Sequence, residues 1–340
     1  MNARIRTLQL DAPADEALWQ QFVAQNAGSN IFCTPEMARV FQKTRKNSPE
    51  VWGAFSPEGK LLALLPLTRV SVFAELPILT RAVAYGGVAV RPDTEGHAAL
   101  KQLLRTYNHA ARHRTLFTEL RHLADRDNLQ PMLGDHGFAY EDHLDYLIDL
   151  NQSEEELLQN FSTSNRKHIR RALRRQEVTV ASVTSRDQVR VCYQLIQRSY
   201  QAAHVPVADE SLFLSAFDVL YPLQKIKFWL AWVDGHAVAS SVELLHKDIV
   251  YGWYSGIDRD YGRFMPGETL MWHILSWAIT NGYRVYDFGG GGKPDKTYPV
   301  RDFKAKFGGQ LVCFGRNLYI HHPGWLWFSR VGYHLLRRWL

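Results

Sequence analysis

Residues 227–255 read KFWLAWVDGHAVASSVELLHKDIVYGWYS, and this stretch decides the fold. Residues 227–233 and 237–245 are apolar runs on either side of Asp234-Gly235, a pair that tolerates the positive φ angles of a tight hairpin. His246-Lys247-Asp248 offers a second turn, and 249–255 is a third run rich in β-branched and aromatic side chains. Three antiparallel strands in a meander are expected. Downstream the period changes. Leu270, Ile274, Trp277 and Ala278 share one side of a helix over 268–281, Thr269, His273, Ser276 and Thr280 the other, and Gly282 suits its end. A strand at 284–288 then runs into four glycines, 289–292. Strands, a crossover helix and a further strand give a domain of the α/β (α+β) class.

Upstream, Ser153 and Glu156 have the spacing of a capping box and open a short helix over 154–161. The basic segment 166–175 reads as a further helix with Ile169 and Leu173 toward the core, and Ser185 with Gln188 opens another through Tyr200. In the first half, Thr34-Pro35 is an N-cap followed by proline at the first helical position. A hairpin over 51–55 and 60–70 turns at Ser56-Pro57-Glu58-Gly59, and Tyr85-Gly86-Gly87 interrupts a later extended run. A helix at 98–112, a strand at 115–121, a helix at 126–136 and a strand at 138–149 complete it. Both halves thus carry helix, hairpin and helix–strand units in similar order. The expectation is a duplicated module, with domains at 1–150 and 151–320 and a basic amphipathic segment at 321–340. A chain of 340 residues is long enough for two cores.

At 46% apolar and 22% charged residues the composition is globular. Cys33, Cys192 and Cys313 are scattered and show no zinc spacing, so neither a disulfide framework nor a metal site is indicated. No apolar run reaches the ~18 residues of a membrane span, and the expected location is cytoplasmic, with peripheral contact at the inner face of the membrane. Net charge is +6 and unevenly spread. Residues 301–340 hold seven Lys/Arg against Asp302 alone, and 166–175 hold six cations and no acid. Both concentrations point to an anionic partner.

Glycines 289–292 with Lys293 do not make a nucleotide loop. A P-loop needs glycine at 287 and Ser or Thr at 294, where Asp287 and Pro294 stand, and Pro294 also occupies the place of the third glycine in a dinucleotide fingerprint. No nucleophile elbow is present, and no cysteine has a histidine partner nearby in sequence. An acyl transfer on this chain would therefore proceed by direct attack of an amine on a bound ester or thioester, leaving the protein to position the reactants and stabilise charge.

Five ordered segments carry a resemblance. They are Asp149-Leu150 to Ser153-Glu154-Glu155, then Asn165-Arg166-Lys167-His168-Ile169-Arg170-Arg171-Ala172, then Tyr251-Gly252-Trp253-Tyr254-Ser255-Gly256 with the helix that follows, then Tyr286-Asp287-Phe288-Gly289, and last Asp302-Phe303-Lys304-Ala305-Lys306-Phe307-Gly308. Together they resemble the FemAB-like transferases. The resemblance implies two tandem GNAT-like domains, each a mixed, mostly antiparallel sheet flanked by helices, and transfer of an aminoacyl or acyl group to an amine. In Fem-type enzymes the donor is aminoacyl-tRNA and the acceptor a peptidoglycan precursor stem peptide. The motif lysine, here Lys304, is implied at the transferring ester and Tyr254 beside it, as catalytic residues. Phe303, Phe307, Gly308, Glu243 and Asp287 are expected to line the substrate, and Arg166 and Arg170 to hold its phosphates. On this view Lys304→Met removes transfer and leaves folding intact.

Acyl-CoA is the alternative donor. The stretch Arg259-Asp260-Tyr261-Gly262-Arg263-Phe264 is the nearest match to a pyrophosphate-holding turn, and Phe264 stands where a small residue lets backbone approach. No tightly bound cofactor and no metal are expected. The partners expected are a tRNA or CoA donor and an anionic cell-envelope precursor, not a specific DNA sequence. An acyl-CoA enzyme acting on an amino sugar or exopolysaccharide intermediate is the second reading, and a non-catalytic RNA- or membrane-surface-binding protein the third. Residues 324–340, with Trp325, Phe328, Leu335, Leu336 and Trp339 against Arg330, His334, Arg337 and Arg338, suit an anionic membrane surface. His273, Asp258, Glu243 and Asp287 are the general-base candidates.

Overall fold

The computed structural model describes residues 3–71, 80–324 and 326, so most of the basic segment at 321–340 lies outside the described residues. The chain divides into two compact units, Met1–Asp142 with Phe314–Leu340, and His143–Cys313.

In the first unit the order is β1 (Arg4–Thr7), α1 (Pro13–Gln25), α2 (Pro35–Gln42), β2 (Asn47–Phe55), β3 (Leu61–Ser71), β4 (Thr80–Tyr85), β5 (Ala89–Val90), α3 (Thr94–Ala111), β6 (Phe117–Arg121), α4 (Gln130–Asp135) and β7 (Ala139–Glu141). The second unit runs β8 (Leu144–Asp149), α5 (Glu154–Asn160), α6 (Thr163–Arg175), β9 (Thr179–Ser182), α7 (Arg186–Ala202), α8 (Glu210–Leu220), β10 (Ile226–Val233), β11 (His236–His246), β12 (Ile249–Ile257), α9 (Pro266–Thr280), β13 (Val285–Gly292), α10 (Pro299–Ala305) and β14 (Gln310–Cys313). β15 (Arg316–Ile320) then returns to the first unit, between β6 and β7. A cut after Leu150 does not follow this path. β8 already pairs with β13, and β15 belongs to the first sheet, because the second unit is an excursion that leaves and re-enters the first.

The first sheet runs β1-β2-β3-β4-β6-β15-β7, with β5 on β3, and the second β14-β8-β13-β12-β11-β10-β9. Among the described residues each is antiparallel except for one parallel pair joined by a crossover helix: β4 with β6, and β12 with β13. The two pairs differ. β4 and β6 stay in register from Arg81–Phe117 through Tyr85–Arg121, whereas β12 and β13 pair only from Ile249–Val285 to Tyr251–Asp287 and then part.

Local sequence explains most of the second sheet. Asp234 and Gly235 both take positive φ, 49° and 79°, closing the β10–β11 hairpin. Register slips between Val242–Tyr254 and Glu243–Gly252, so Trp253 is the extra residue of a bulge. A Cβ on Gly256 would meet the backbone of Leu195 and Ile196 at 2.5 Å, so this glycine lets α7 lie directly on the sheet. On the opposite face, Leu270, Ile274, Leu275 and Ala278 of α9 cover Trp229, Val250, Tyr286 and Phe288. A fully buried aliphatic side chain of this kind contributes about 1.5–3 kcal/mol.

One expectation changes, and two stretches without an assignment gain elements. Leu173 is 49% exposed while Ile169 is buried, because α6 packs only through its first two turns, where Asn165 Nδ2 donates to the Lys306 carbonyl at 3.2 Å. Residues 299–305, to which no element is assigned from the sequence, form a helix with Lys304 inside it. β9 and α8, unmarked by hairpin or capping-box signals, fill the gaps on either side of α7.

Candidate functional site

Where β13 leaves β12, its carbonyls lose a strand partner, and Lys304 takes their place. Its Nζ donates to the carbonyls of Phe288 (2.6 Å), Gly289 (2.7 Å) and Gly290 (3.0 Å). These three bonds use all the protons an ammonium carries. Asp287, one residue before the fork, is buried, accepts from the Gly289 amide at 2.7 Å and is hydrogen-bonded to buried Asp145 of β8. Burial first, and the Asp145 charge second, push the Asp287 carboxyl far above the ordinary carboxylate range. Burial draws Lys304 down to about 8 against the opposing pull of Asp145 and Asp287.

Two strands away, Glu243 is completely buried. It accepts from the Ser241 hydroxyl at 2.5 Å and from the Tyr286 hydroxyl at 3.0 Å, and burial pushes it up to about 7. The Tyr286–Glu243 bond spans the intervening strand β12 because Gly252 has no side chain: a Cβ there would sit 2.7 Å from the Tyr286 oxygen. Gly289 lies against the same point, its own Cβ position 3.1 Å from the Gly252 carbonyl. The fork is therefore walled by two glycines and floored by ionisable groups.

Residues 159–298 match the family model of the acetyltransferase (GNAT) domain, a stretch that contains the fork. The second unit is a GNAT acyltransferase domain. The whole chain has the tandem GNAT fold. It is similar to FemX (15% identity, 93% of this chain and 97% of that one, TM-score 0.72). It is also similar to a tandem GNAT protein from the clavulanic acid biosynthesis pathway (11% identity, 95% and 100%, TM-score 0.62). L-PGS from Bacillus licheniformis shares the fold as well (15% identity, 91% and 92%, TM-score 0.55). No curated protein sequence matches the chain. GNAT domains ordinarily use acyl-CoA donors.

Within this GNAT domain the residues singled out from the sequence have different surroundings. Lys304, Asp287 and Glu243 are buried at or beneath the fork. Tyr254, half-buried, lies on the other face of β12, its ring centroid 4.9 Å from Phe213, 5.1 Å from Trp253 and 5.9 Å from Tyr200. Phe307 is wholly buried, 5.2 Å from Phe161 and 5.7 Å from Phe288, which makes it a core residue and corrects its assignment to the substrate. Gly308 is needed for conformation: its φ is 71°, and a Cβ would meet the Asn160 carbonyl at 2.7 Å. Phe303 is half-buried against Phe307, with Lys306 above its ring. Arg166 and Arg170 are drawn onto α5, Arg166 by Gln159 and Arg170 by Glu155 at 2.8 Å. Lys167, Arg171 and Arg174 are exposed and make no ion pair among the described residues.

Of the other base candidates, His273 packs edge-on to Trp229 (5.0 Å), and burial lowers its proton affinity, while Asp258 caps the turn before α9 by accepting from the Asp260 amide. Asp145 and Tyr286 were missed. Asp145 looks like any polar residue of an alternating strand, and Tyr286 like a core aromatic, so only the folded sheet reveals their partners, Asp287 and Glu243. Among the described residues no cluster of His, Cys, Asp and Glu could hold a metal ion, and no helix is long and apolar enough to cross a membrane.

Proposed function

We propose that the second unit transfers an aminoacyl group from the 3′ end of a tRNA to an amine on a cell-envelope precursor, by direct attack and without a covalent enzyme intermediate. The observation that carries this reading is the fork itself: parallel strands that separate after Tyr251 and Asp287, next to Gly252 and Gly289, with a buried ammonium fixing β13. Parted parallel strands suit an extended donor arm laid between them. The ammonium of Lys304 adds positive charge beside the donor carbonyl and stiffens β13; it reaches an oxyanion only by giving up one of its three carbonyls.

The start of α9 favours a tRNA ester over CoA. Pro266 has no N–H, Phe264 is bulky, and Glu268 places a carboxylate in the first turn, where the helix dipole would otherwise attract a diphosphate. Exposed Lys167, Arg171 and Arg174 suit the phosphates of a nucleic-acid or precursor backbone. Acyl-CoA is the second reading, supported by the match to an acetyltransferase domain.

Incubating the protein separately with charged tRNA and with acyl-CoAs, each with stem-peptide and amino-sugar acceptors, tests the proposal by mass analysis. An aminoacyl mass increment with tRNA alone is expected. Product from acyl-CoA alone replaces the donor, and product from neither removes the reading.

A further inference from the structure

Asp145 and Asp287 reach one another across β8 and β13. The register sets Asp145 opposite Gly290 and Leu147 opposite Asp287, so the two acids stand diagonally on neighbouring strands. Both are buried, and their side chains are hydrogen-bonded to each other. Each also has one oxygen on a backbone amide at 2.7 Å, Asp145 on that of Tyr146 and Asp287 on that of Gly289. An ionised carboxylate only accepts, so a bond between two carboxyl groups requires a proton on at least one of them. Two like charges so close cannot both persist in a buried site. The neighbouring cation gives the pair a reason to keep one of them. The Lys304 ammonium is buried, its three protons lie on carbonyls, and the charges acting on it are those of these two acids. A buried cation without an opposite charge is costly. One proton on the acid pair and three on the amine make the set neutral.

We propose that Asp145 and Asp287 share a single proton, and that the one negative charge left on them holds Lys304 in its ammonium form at the fork. Both acids are then positioning residues, which act on the donor carbonyl only through Lys304. That part in transfer rests on the acyl-transfer reading; the shared proton does not. Loss of the ammonium would leave the amine two protons for three carbonyls, so the positive charge and the anchoring of β13 fail together. The pair keeps its proton throughout, and nothing is consumed. The other ionisable groups facing it are Tyr286, the preceding residue of β13 with Glu243 behind it, and Tyr251, opposite Asp287 on β12. β14 sets apolar Val312 opposite Asp145, and α10 contributes Lys304.

Asparagine has the shape of a protonated aspartate, with N–H in place of O–H. Asp145→Asn or Asp287→Asn should therefore fix the donor on one side and keep the negative charge on the other. In protein labelled at its aspartate carboxyl carbons, the two wild-type signals at about pH 7 should together report one proton. The signal left in either single variant should be that of an ionised carboxylate. Two ionised carboxylates in the wild type, or a protonated one in a single variant, overturn the shared proton. The hold on the ammonium is read from lysine carbon signals, with Lys304 assigned through Lys304→Arg. Its midpoint should stay near 8 in both single variants. In Asp145→Asn/Asp287→Asn its proton affinity should fall about 10- to 10³-fold, and the alkaline limb of kcat should move to lower pH with it. A double variant whose Lys304 titrates as in the wild type overturns the hold; if that variant does not fold, Asp145→Ser/Asp287→Asn serves the same test. If neither donor class supports turnover, it is the functional reading that fails, and the two titrations still decide the acid pair.

Discussion

Replacing Lys304 by methionine keeps the length of the side chain and removes its charge and its three donors. The structure reverses what the motif suggests for this variant. The carbonyls of Phe288, Gly289 and Gly290 would each lose a partner, and Asp145 with Asp287 would lose the positive charge that acts on both. A carbonyl orphaned in a buried site costs about 1–3 kcal/mol, and a buried charge stripped of its partner about 3–5 kcal/mol. Gly290 is exposed enough for water to replace the ammonium, and the two acids can shed their charge by keeping protons. Both relaxations reduce the total, leaving a loss of about 5 kcal/mol. That is comparable to the whole stability of a small domain, so the damage should centre on β13 and α10. Hydrogen exchange followed by mass spectrometry would read it directly, with α3 of the first unit as an internal reference. Protection over 285–292 should collapse in Lys304→Met while α3 is unchanged. Equal protection in the two proteins would refute the anchoring argument and return Lys304 to a purely chemical role.

Four further outcomes follow from the same geometry. Glu243 has a folded-state proton affinity above its unfolded one, so its contribution to stability is complete below about pH 4.5 and lost as pH rises through about 7. The loss is on the order of 3 kcal/mol, and denaturation of Glu243→Gln compared with the wild type at pH 5 and pH 8 should show it missing from the variant. Gly256→Ala should destabilise the second unit by about 2 kcal/mol or more, since backbone rather than a side-chain tip blocks the methyl; an unchanged melting temperature would contradict the close approach of α7. Arg170→Ala should change stability by less than about 1 kcal/mol, because its partner Glu155 is exposed. By contrast, Arg171→Glu should weaken tRNA retention in a filter-binding assay and flatten its salt dependence, and unaltered binding would remove α6 from the donor path.

Much of the fold is legible in the residues. Asp234-Gly235 announces its hairpin, Thr34-Pro35 its helix start, and Ser153 with Glu156 forms the reciprocal capping box its spacing implies. These signals are local, and local physics is sufficient to read them. Leu173 fails for a tertiary reason: helical spacing places it near Ile169, but the surface that would cover it ends a turn earlier. The site is legible in part. A lysine flanked by Phe303 and Phe307 is visible as a motif, yet sequence does not tell whether its ammonium faces a substrate or three carbonyls of its own chain. Glu243 and Tyr286 lie 43 positions apart on strands that are not neighbours, and the glycine that lets them meet is silent in any pattern of polarity.

The uninterrupted pairing of β4 with β6 carries its own consequence. A module that opens its parallel strands has surrendered hydrogen bonds to part them; one that keeps them closed has retained that adhesion. The earlier copy in this chain is of the closed sort. Exchanges at its strand tips ought therefore to alter how long the protein survives heating.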